Sequence, residues 1–200
     1  MALIIFCITR IVSKYYNYSE DAHSKINEYS NDLWNLQEIG IHSVNVQRGS
    51  LNLIIYFGNK KELENVKGSI LKNRDSLINA LSLIDKYKID LKNDARAKIK
   101  EAGKKYLEVN AAFRKLAEDS VKKSTAADFN VNNVRPALRS LSDLTRETSK
   151  SITAEIQKIT VSRLHIFSLY EFWILMTVLL PYLYFFYRFV NVFIKVLFWN

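Results

Sequence analysis

Apolar side chains recur in alternating steps of three and four residues along three long stretches of the chain, and this spacing restricts the fold more than any other feature. A repeat of about 3.5 residues keeps one face of a helix apolar, as in helices that pack side by side. The three sets of positions are Leu63, Val66, Ile70, Asn73, Leu77, Ala80, Ile84 and Tyr87; Ala95, Ile99, Ala102, Tyr106, Val109, Phe113, Leu116 and Ser120; and Val134, Leu138, Leu141, Thr145, Thr148, Ile152, Glu155 and Ile159. The sequence therefore predicts an all-α fold in which long helices share one core.

The turn signals between these stretches divide the chain into four helices. We expect the first helix to continue through residues 15–56, the second to cover 60–88, the third to cover 91–124, and the fourth to follow a turn at 124–128. The inward positions of the first helix are predicted to be Leu33, Gln37, Gly40, Val44, Gln47, Leu51 and Ile54. Because the connections are short, consecutive helices should be antiparallel neighbours, and the sequence predicts an antiparallel up-down four-helix bundle.

Two single residues are expected to shape these helices. Gly40 should allow another helix to approach the first one closely, because it has no side chain. Pro136 is expected to kink the fourth helix, since it lies near the start of that helix and cannot donate a backbone hydrogen bond.

The fourth helix is predicted to continue into a transmembrane helix over residues 164–188. About twenty apolar residues are enough to span a bilayer, and the polar residues within this stretch are few. Glu171 lies one to two turns inside its start, where it can reach headgroup water or make a polar contact between helices. Residues 189–200 are predicted to extend this helix or to lie in the interface.

The first residues of the chain are also apolar but are too few to cross a membrane. They are followed by Arg10 and Lys14, which is not the usual order of a secretory signal. We interpret residues 1–14 as a truncated first transmembrane helix and residues 15–163 as the bundle domain.

Charge and composition argue against several classes of function. The formal net charge is +9, but basic residues alternate with acidic ones along every predicted helix, so a nucleic-acid interface is not expected. Cys7 is the only cysteine, which excludes an intrachain disulfide. The three histidines are scattered, and the sequence lacks a metal-binding spacing, a phosphate-binding glycine loop and a nucleophile elbow. We therefore expect no cofactor and no enzyme activity.

The bundle and its membrane helix resemble the four-helix-bundle sensor domain of methyl-accepting chemotaxis receptors over about residues 26–160. The cues are Asn45, Val46, Gln47 and Arg48 in the first helix, the turn at 57–60, and Asn132, Asn133, Val134, Arg135, Pro136, Ala137 and Leu138 in the fourth. The resemblance implies a homodimeric, extracytoplasmic ligand sensor that signals by a small displacement of the fourth helix. The sequence departs from the family in its first transmembrane helix and in lacking a HAMP linker and a cytoplasmic coiled coil, so we expect a fragment or a degenerate receptor.

Several arginines are predicted to lie at a similar distance from the turns that are farthest from the membrane, and this suggests a site for a small anion. Arg48, Arg74 and Arg135 each follow an inward position and have no acidic residue three or four positions away. Arg114 and Arg139, in contrast, are predicted to point outward and to pair with Glu118 and Asp143 at the i+4 spacing.

Guanidinium groups match carboxylate geometry, and Asn73, Gln47, Thr145 and Thr148 add polar groups to the core face. We predict an anion site at Arg48, Arg74, Arg135, Asn73 and Thr145. The alternative for the polar core residues is that they fix the helix register.

Other functions remain compatible with the same features. The bundle could serve a histidine kinase instead of a chemotaxis receptor. It could also be a SNARE-like cytoplasmic tether with the C-terminal helix as its anchor, or a structural membrane-bound bundle without a small ligand. The orientation of the bundle relative to the membrane distinguishes a sensor from a tether.

Overall fold

The computed structural model describes residues 2–91, 94–119 and 122–198, and the side chains of residues 9–195 within these ranges. The described chain is helical and contains no strand. Its elements are α1 (Ala2–Ile55), α2 (Lys60–Leu83), a 3-10 turn (Ile84–Lys86), α3 (Ala95–Ala117), α4 (Lys123–Phe129), a π-helical segment (Asn130–Val134) and α5 (Arg135–Phe198). The all-α prediction is confirmed.

The connection between α1 and α2 lies where the sequence predicts it. Gly58 has a φ of 98°, a conformation that residues with a Cβ rarely adopt. The Asn59 side chain accepts a hydrogen bond from the backbone N–H of Glu62 and so caps the start of α2.

The second helix ends earlier than predicted, at Leu83 rather than Lys88. The backbone N–H groups of Lys88 and Ile89 donate to one Asp32 carboxylate oxygen, over 2.7 and 3.0 Å. The Arg96 guanidinium donates to the carbonyl groups of Tyr87 and Ile89 over 3.0 and 2.7 Å. Because side chains of α1 and α3 bind these backbone groups, they do not continue the helical ladder.

The chain between α3 and α5 also differs from the prediction. The predicted third helix ends at Ala117, and the predicted turn at 124–128 lies inside α4. Ser120, the last position of the repeat that begins at Ala95, lies outside the described residues. Directly before Pro136, the Arg135 N–H donates to the Asn130 carbonyl, five residues earlier. Since proline interrupts the regular ladder, this wider turn is the local adjustment that accommodates Pro136.

The described residues form two compact units, of which the larger is Asn27–Ile156. All four long helices contribute to the core of this unit. Its fully buried large side chains are Leu36, Ile39, Val46, Leu53, Ile70, Leu77, Ile84, Ile99, Tyr106, Phe113, Leu141 and Ile152. Most of the buried residues of α2, α3 and α5 fall on the predicted repeats.

The predicted inward face of α1 is correct at Gln47, and Leu33, Leu51 and Ile54 pack partly buried against the core, but the prediction is wrong at two positions. Gln37 and Val44 are exposed, whereas the buried positions are Asp32, Leu36, Ile39, Ser43, Val46, Gln47, Ser50 and Leu53. Small polar residues occupy part of the buried face of α1, so the repeat of apolar residues alone did not identify all of its positions. Ser43 and Ser50 donate to backbone carbonyls of the same helix, which makes their burial acceptable.

Close helix approach occurs at glycines other than Gly40. A Cβ on Gly40 would have no neighbour within 4 Å, so the predicted close approach at this residue is wrong. A Cβ on Gly49 would lie 2.7 Å from Ile70 Cγ1, and one on Gly103 would lie 2.6 Å from Leu81 Cδ1. These two glycines therefore allow α1 and α3 to contact α2.

The smaller unit contains the described residues at the two ends of the chain. The Tyr15 ring lies 5.5 Å from the rings of both Phe167 and Tyr170, measured between centroids. Among the described helical stretches, Lys123–Lys195 is the one that is long and apolar enough to cross a membrane. Its large apolar side chains are exposed around the helix, including Leu164, Phe172, Leu175, Val178, Leu183, Phe186 and Phe193.

Candidate anion-binding site

The predicted arginines lie at different places on the larger unit. Arg74 lines a groove between α2 and α3, whereas Arg135 lines a groove between α1 and α5. Arg48 is exposed on α1. The structure therefore does not bring Arg74 and Arg135 into one groove.

Asn73 and Thr145 have protein partners. Asn73 Oδ1 lies 3.1 Å from His42 Nδ1, and its Nδ2 donates to the Ser69 carbonyl over 2.9 Å. The buried Thr145 hydroxyl donates to the Ser142 carbonyl over 3.0 Å. His42 also contacts the Glu38 carboxylate through Nε2, at 2.8 Å. The contact between His42 and Asn73 links α1 to α2, and the Thr145 hydroxyl has its acceptor within α5. Both contacts agree with the alternative that the polar core residues fix the helix register.

The groove between α2 and α3 has a volume of about 810 Å³. Its apolar lining comes from Ile78, Leu81, Leu107 and Ala111, and its charged lining includes arginines from both helices, Arg74 and Arg114. Ligand pockets in proteins commonly have volumes of about 300–1,000 Å³, with few charged groups on a largely apolar lining. The groove therefore has the size of a small-molecule site, and seven of its twelve lining residues are charged.

Arg114 is not the ordinary surface residue that its spacing to Glu118 predicts. The Glu118 carboxylate pairs with Lys67 of α2 at 3.2 Å, and this contact takes the predicted partner of Arg114. The Arg114 side chain is half-buried, and its Nε atom is buried without a hydrogen-bond partner. A buried guanidinium N–H without an acceptor is unfavourable, because it has lost water without gaining a replacement.

Arg74 also differs from its prediction, in a smaller way. It has an acidic neighbour at the adjacent position, and its Nη2 lies 3.2 Å from the Asp75 carboxylate. The two side chains are 39% and 66% exposed, so this contact is solvated and weak. Arg74 can therefore exchange Asp75 for another anion at small cost.

Ion pairs at both ends of the groove fix the level of the two arginines. Lys67 pairs with Glu118 at one end, and Asp85 pairs with Lys100 over 2.6 Å at the other. By this register Arg74 lies opposite Ala111, which is three residues from Arg114. Three residues correspond to about 4.5 Å along a helix, so both guanidinium groups can reach one carboxylate.

A layer of buried polar side chains crosses the core near this level, and the sequence reasoning missed most of it. The Ser50 hydroxyl oxygen lies 3.0 Å from Asn110 Oδ1, Asn110 Nδ2 donates to Gln47 over 3.4 Å, and Gln47 in turn donates to Asn130. Asn110 follows the predicted core position Val109, and Asn130 lies four residues before the predicted core position Val134, which is the only signal for them in the sequence. The layer links α1, α3 and the π-helical segment.

Tyr106 connects α3 to α1 beside this layer. Its hydroxyl donates to the Ser43 carbonyl over 2.6 Å. Burial raises the pKa of Tyr106 above its ordinary value, and the nearby Arg114 charge opposes that shift only in part. Tyr106 therefore stays a neutral hydrogen-bond donor at physiological pH.

The second groove, between α1 and α5, has a volume of about 760 Å³ and contains Arg135 and Arg139. The predicted pair between Arg139 and Asp143 is wrong, because Asp143 pairs with Arg146 at 2.8 Å. Both arginines of this groove are exposed. It therefore lacks the buried guanidinium N–H that distinguishes the groove between α2 and α3.

Among the described side chains, no three His, Cys, Asp or Glu residues are arranged to hold a metal ion. Comparison of the chain with protein-family models, with curated proteins and with solved structures gives no match. The functional interpretation therefore depends on the geometry of the grooves and helices alone.

Proposed function

We propose that this chain is the ligand-sensing part of a membrane-bound, chemotaxis-type receptor and that it binds a small organic anion between α2 and α3. The observation that carries the proposal is the pair formed by Arg74 and Arg114. They lie about one turn apart on facing helices, and the Arg114 Nε is buried without a protein acceptor. A carboxylate in this groove would bind both guanidinium groups.

We further propose that residues 27–156 form an antiparallel up-down four-helix bundle. Contacts between α1 and α2 support an antiparallel pair, because Gly49 approaches Ile70, His42 contacts Asn73, and Asp32 contacts Ile89. The ion pairs of Lys67 with Glu118 and of Asp85 with Lys100 likewise support an antiparallel arrangement of α2 and α3. In such a bundle, a ligand between α2 and α3 can change the packing of α3 on its neighbours.

The exposed apolar side chains of α5 support a place in the membrane for this helix. In water, a helix that is apolar on all sides exposes far more apolar surface than soluble proteins tolerate, whereas lipid favours that surface. In the receptor interpretation, the bundle lies outside the cytoplasm, two copies associate through their helices, and a small displacement of α5 carries the signal.

Titration of the full chain in lipid nanodiscs with acetate, succinate, benzoate and octanoate, followed by calorimetry, tests the binding site. We expect at least one of these carboxylates to bind, and we expect Arg114→Gln and Arg74→Gln each to weaken its affinity about tenfold, as for the loss of one charge-assisted hydrogen bond. Arg146→Gln is the matched control, because this residue is exposed and lies on α5 outside the groove. Equal affinities in all three variants would contradict the proposal.

A tail-anchored cytoplasmic tether is the alternative that the single membrane-length helix also permits. Protease added outside intact cells distinguishes the two. A sensor domain should be cleaved within residues 27–156, whereas a cytoplasmic tether should be protected until the cells are permeabilised. The aromatic contacts of Tyr15 with Phe167 and Tyr170 favour the sensor, since a tether does not require its first segment to accompany the membrane helix.

A further inference from the structure

The chemical character of the groove between α2 and α3 changes along its length. One end has Arg74 and Arg114, and the middle is lined by Ile78, Leu81 and Leu107. Ile78 is 46% exposed, although isoleucine is more commonly buried. A charged end followed by an accessible apolar middle matches an amphipathic molecule better than a compact polar anion.

The charges beyond the arginine end argue against a second carboxylate on the ligand. The remaining charged residues of the lining are Asp85, Lys100, Glu101, Lys104 and Glu108. Three of them are acidic and two are basic, and Lys100 already pairs with Asp85. A carboxylate at this end would therefore meet no net positive charge, which restricts the complementary ligand to one anionic group at the arginine end.

The length of the groove limits the apolar part of the ligand. Arg74 and Asp85 are eleven residues apart on one helical path, which corresponds to about 16 Å. An extended alkyl chain advances about 1.3 Å per bond, from the ordinary length of a carbon–carbon bond, so at most about twelve carbons fit.

We propose that the groove binds a free, medium-chain monocarboxylate, with its carboxylate between Arg74 and Arg114 and its chain along Ile78, Leu81 and Leu107. This inference rests on the proposed function, because it specifies the ligand class of the same site. Burial of each methylene group should tighten binding about fourfold if it is complete and less if it is partial. We expect octanoate to bind at least tenfold more tightly than butyrate.

Two matched variants on α2 test the apolar contact. Ile78 and Leu71 are both 46% exposed on the same helix, but only Ile78 lines the groove. Calorimetric titration of the full chain in nanodiscs should show that Ile78→Asn weakens octanoate binding about tenfold and leaves butyrate binding unchanged, whereas Leu71→Asn changes neither. Partitioning of octanoate into lipid is the same for all variants and cancels in this comparison.

The outcomes separate this inference from the proposed function. If butyrate and octanoate bind equally well and both require Arg114, the anion site stands and the medium-chain inference is overturned. The same conclusion follows if Ile78→Asn and Leu71→Asn have equal effects on octanoate. If neither of these two binds but succinate or benzoate binds and requires Arg114, the medium-chain inference alone is overturned. If none of the carboxylates binds, or if binding is unaffected by Arg114→Gln, the inference and the anion site at these arginines both fail.

Discussion

Asp32 is the residue on which the connection between α2 and α3 most depends. Its carboxylate is 5% exposed and accepts hydrogen bonds from two backbone N–H groups of that connection. The sequence gives no sign of this role, because the two partners lie more than fifty residues away along the chain. The shortened α2 could be recognised only from the folded structure.

Replacing Asp32 tests this role. We expect Asp32→Ala to lower the free energy of unfolding by about 2–3 kcal/mol, because hydrogen bonds to a charged group are lost and two buried donors are left unpaired. Asp21→Ala is the control, since Asp21 is exposed and pairs with Lys25 on the same helix. Urea unfolding in detergent, followed by circular dichroism, measures both. A loss as small as that of the control would show that Asp32 does not hold this connection.

Tyr87 and Tyr106 predict a loss of stability in alkaline solution. Burial raises the pKa of both hydroxyl groups, and for Tyr87 the neighbouring Asp32 charge adds to the shift. Because a raised pKa in the folded state favours folding while the group is protonated, this contribution is complete below the unfolded value of about 10 and is lost as the pH rises above it.

Tyr106→Phe should therefore flatten part of the fall in thermal stability between about pH 10 and 12, where the unfolded tyrosine ionises first. The substitution should also lower the free energy of unfolding by about 1 kcal/mol at neutral pH, because the hydrogen bond to the Ser43 carbonyl is lost. Tyr56→Phe is the exposed control. An alkaline profile that is identical in the Tyr106 variant and the wild type would contradict the assignment.

Arg114 shows what residue spacing could not predict at the site. Its predicted ion pair with Glu118 at i+4 is wrong, because Glu118 pairs with Lys67 on another helix. Arg74 was among the predicted site residues, whereas its partner in the groove was not. Glu118 can pair with Arg114 of its own helix or with Lys67 of α2. Which pair forms depends on the register of α2 against α3, which the residue spacing does not give.

At the scale of the helices, the repeats predicted most of the buried positions of α2, α3 and α5, whereas in α1 Gln47 is the one predicted position that is fully buried. In α1 the core positions include Ser43, Gln47 and Ser50, and apolar residues such as Ile41 and Val44 lie on the exposed face. The repeat of apolar residues therefore did not distinguish the two faces. The buried face carries these polar residues together with apolar ones such as Leu36 and Val46. Hydrogen bonds that the sequence does not reveal satisfy the polar residues and make their burial possible.

The glycines of α1 and α2 give a test of helix packing. We expect Gly68→Ala to stabilise the fold by about 1 kcal/mol, because alanine favours the helix and its Cβ would have no neighbour within 4 Å. Gly49→Ala should instead be destabilising, since its Cβ would overlap the buried Ile70 side chain and overpacking costs about 1–3 kcal/mol. Urea unfolding compares the two, and equal effects would contradict the close approach of α1 and α2.

At the scale of the whole molecule, composition predicted a membrane-length helix, and the described chain has one such helical stretch. Leu175 and Leu179 are exposed near the middle of the predicted span. Changing both to Arg adds about 6 kcal/mol to the cost of inserting this helix. We expect the double variant to be extracted from membranes by alkaline carbonate, whereas Ile55→Arg, at the end of α1, should remain in the pellet. Retention of the double variant would contradict a membrane position for this segment.

Hydrogen exchange of the full chain in nanodiscs, with and without octanoate, tests the anion site most directly, because it locates the bound molecule without any substitution. Ligand contact at Arg74 and Arg114 should slow exchange in peptides from the second half of α2 and from α3. Protection confined to peptides around Arg135 and Arg139, at the groove between α1 and α5, would contradict the site proposed here, and so would the absence of any protection.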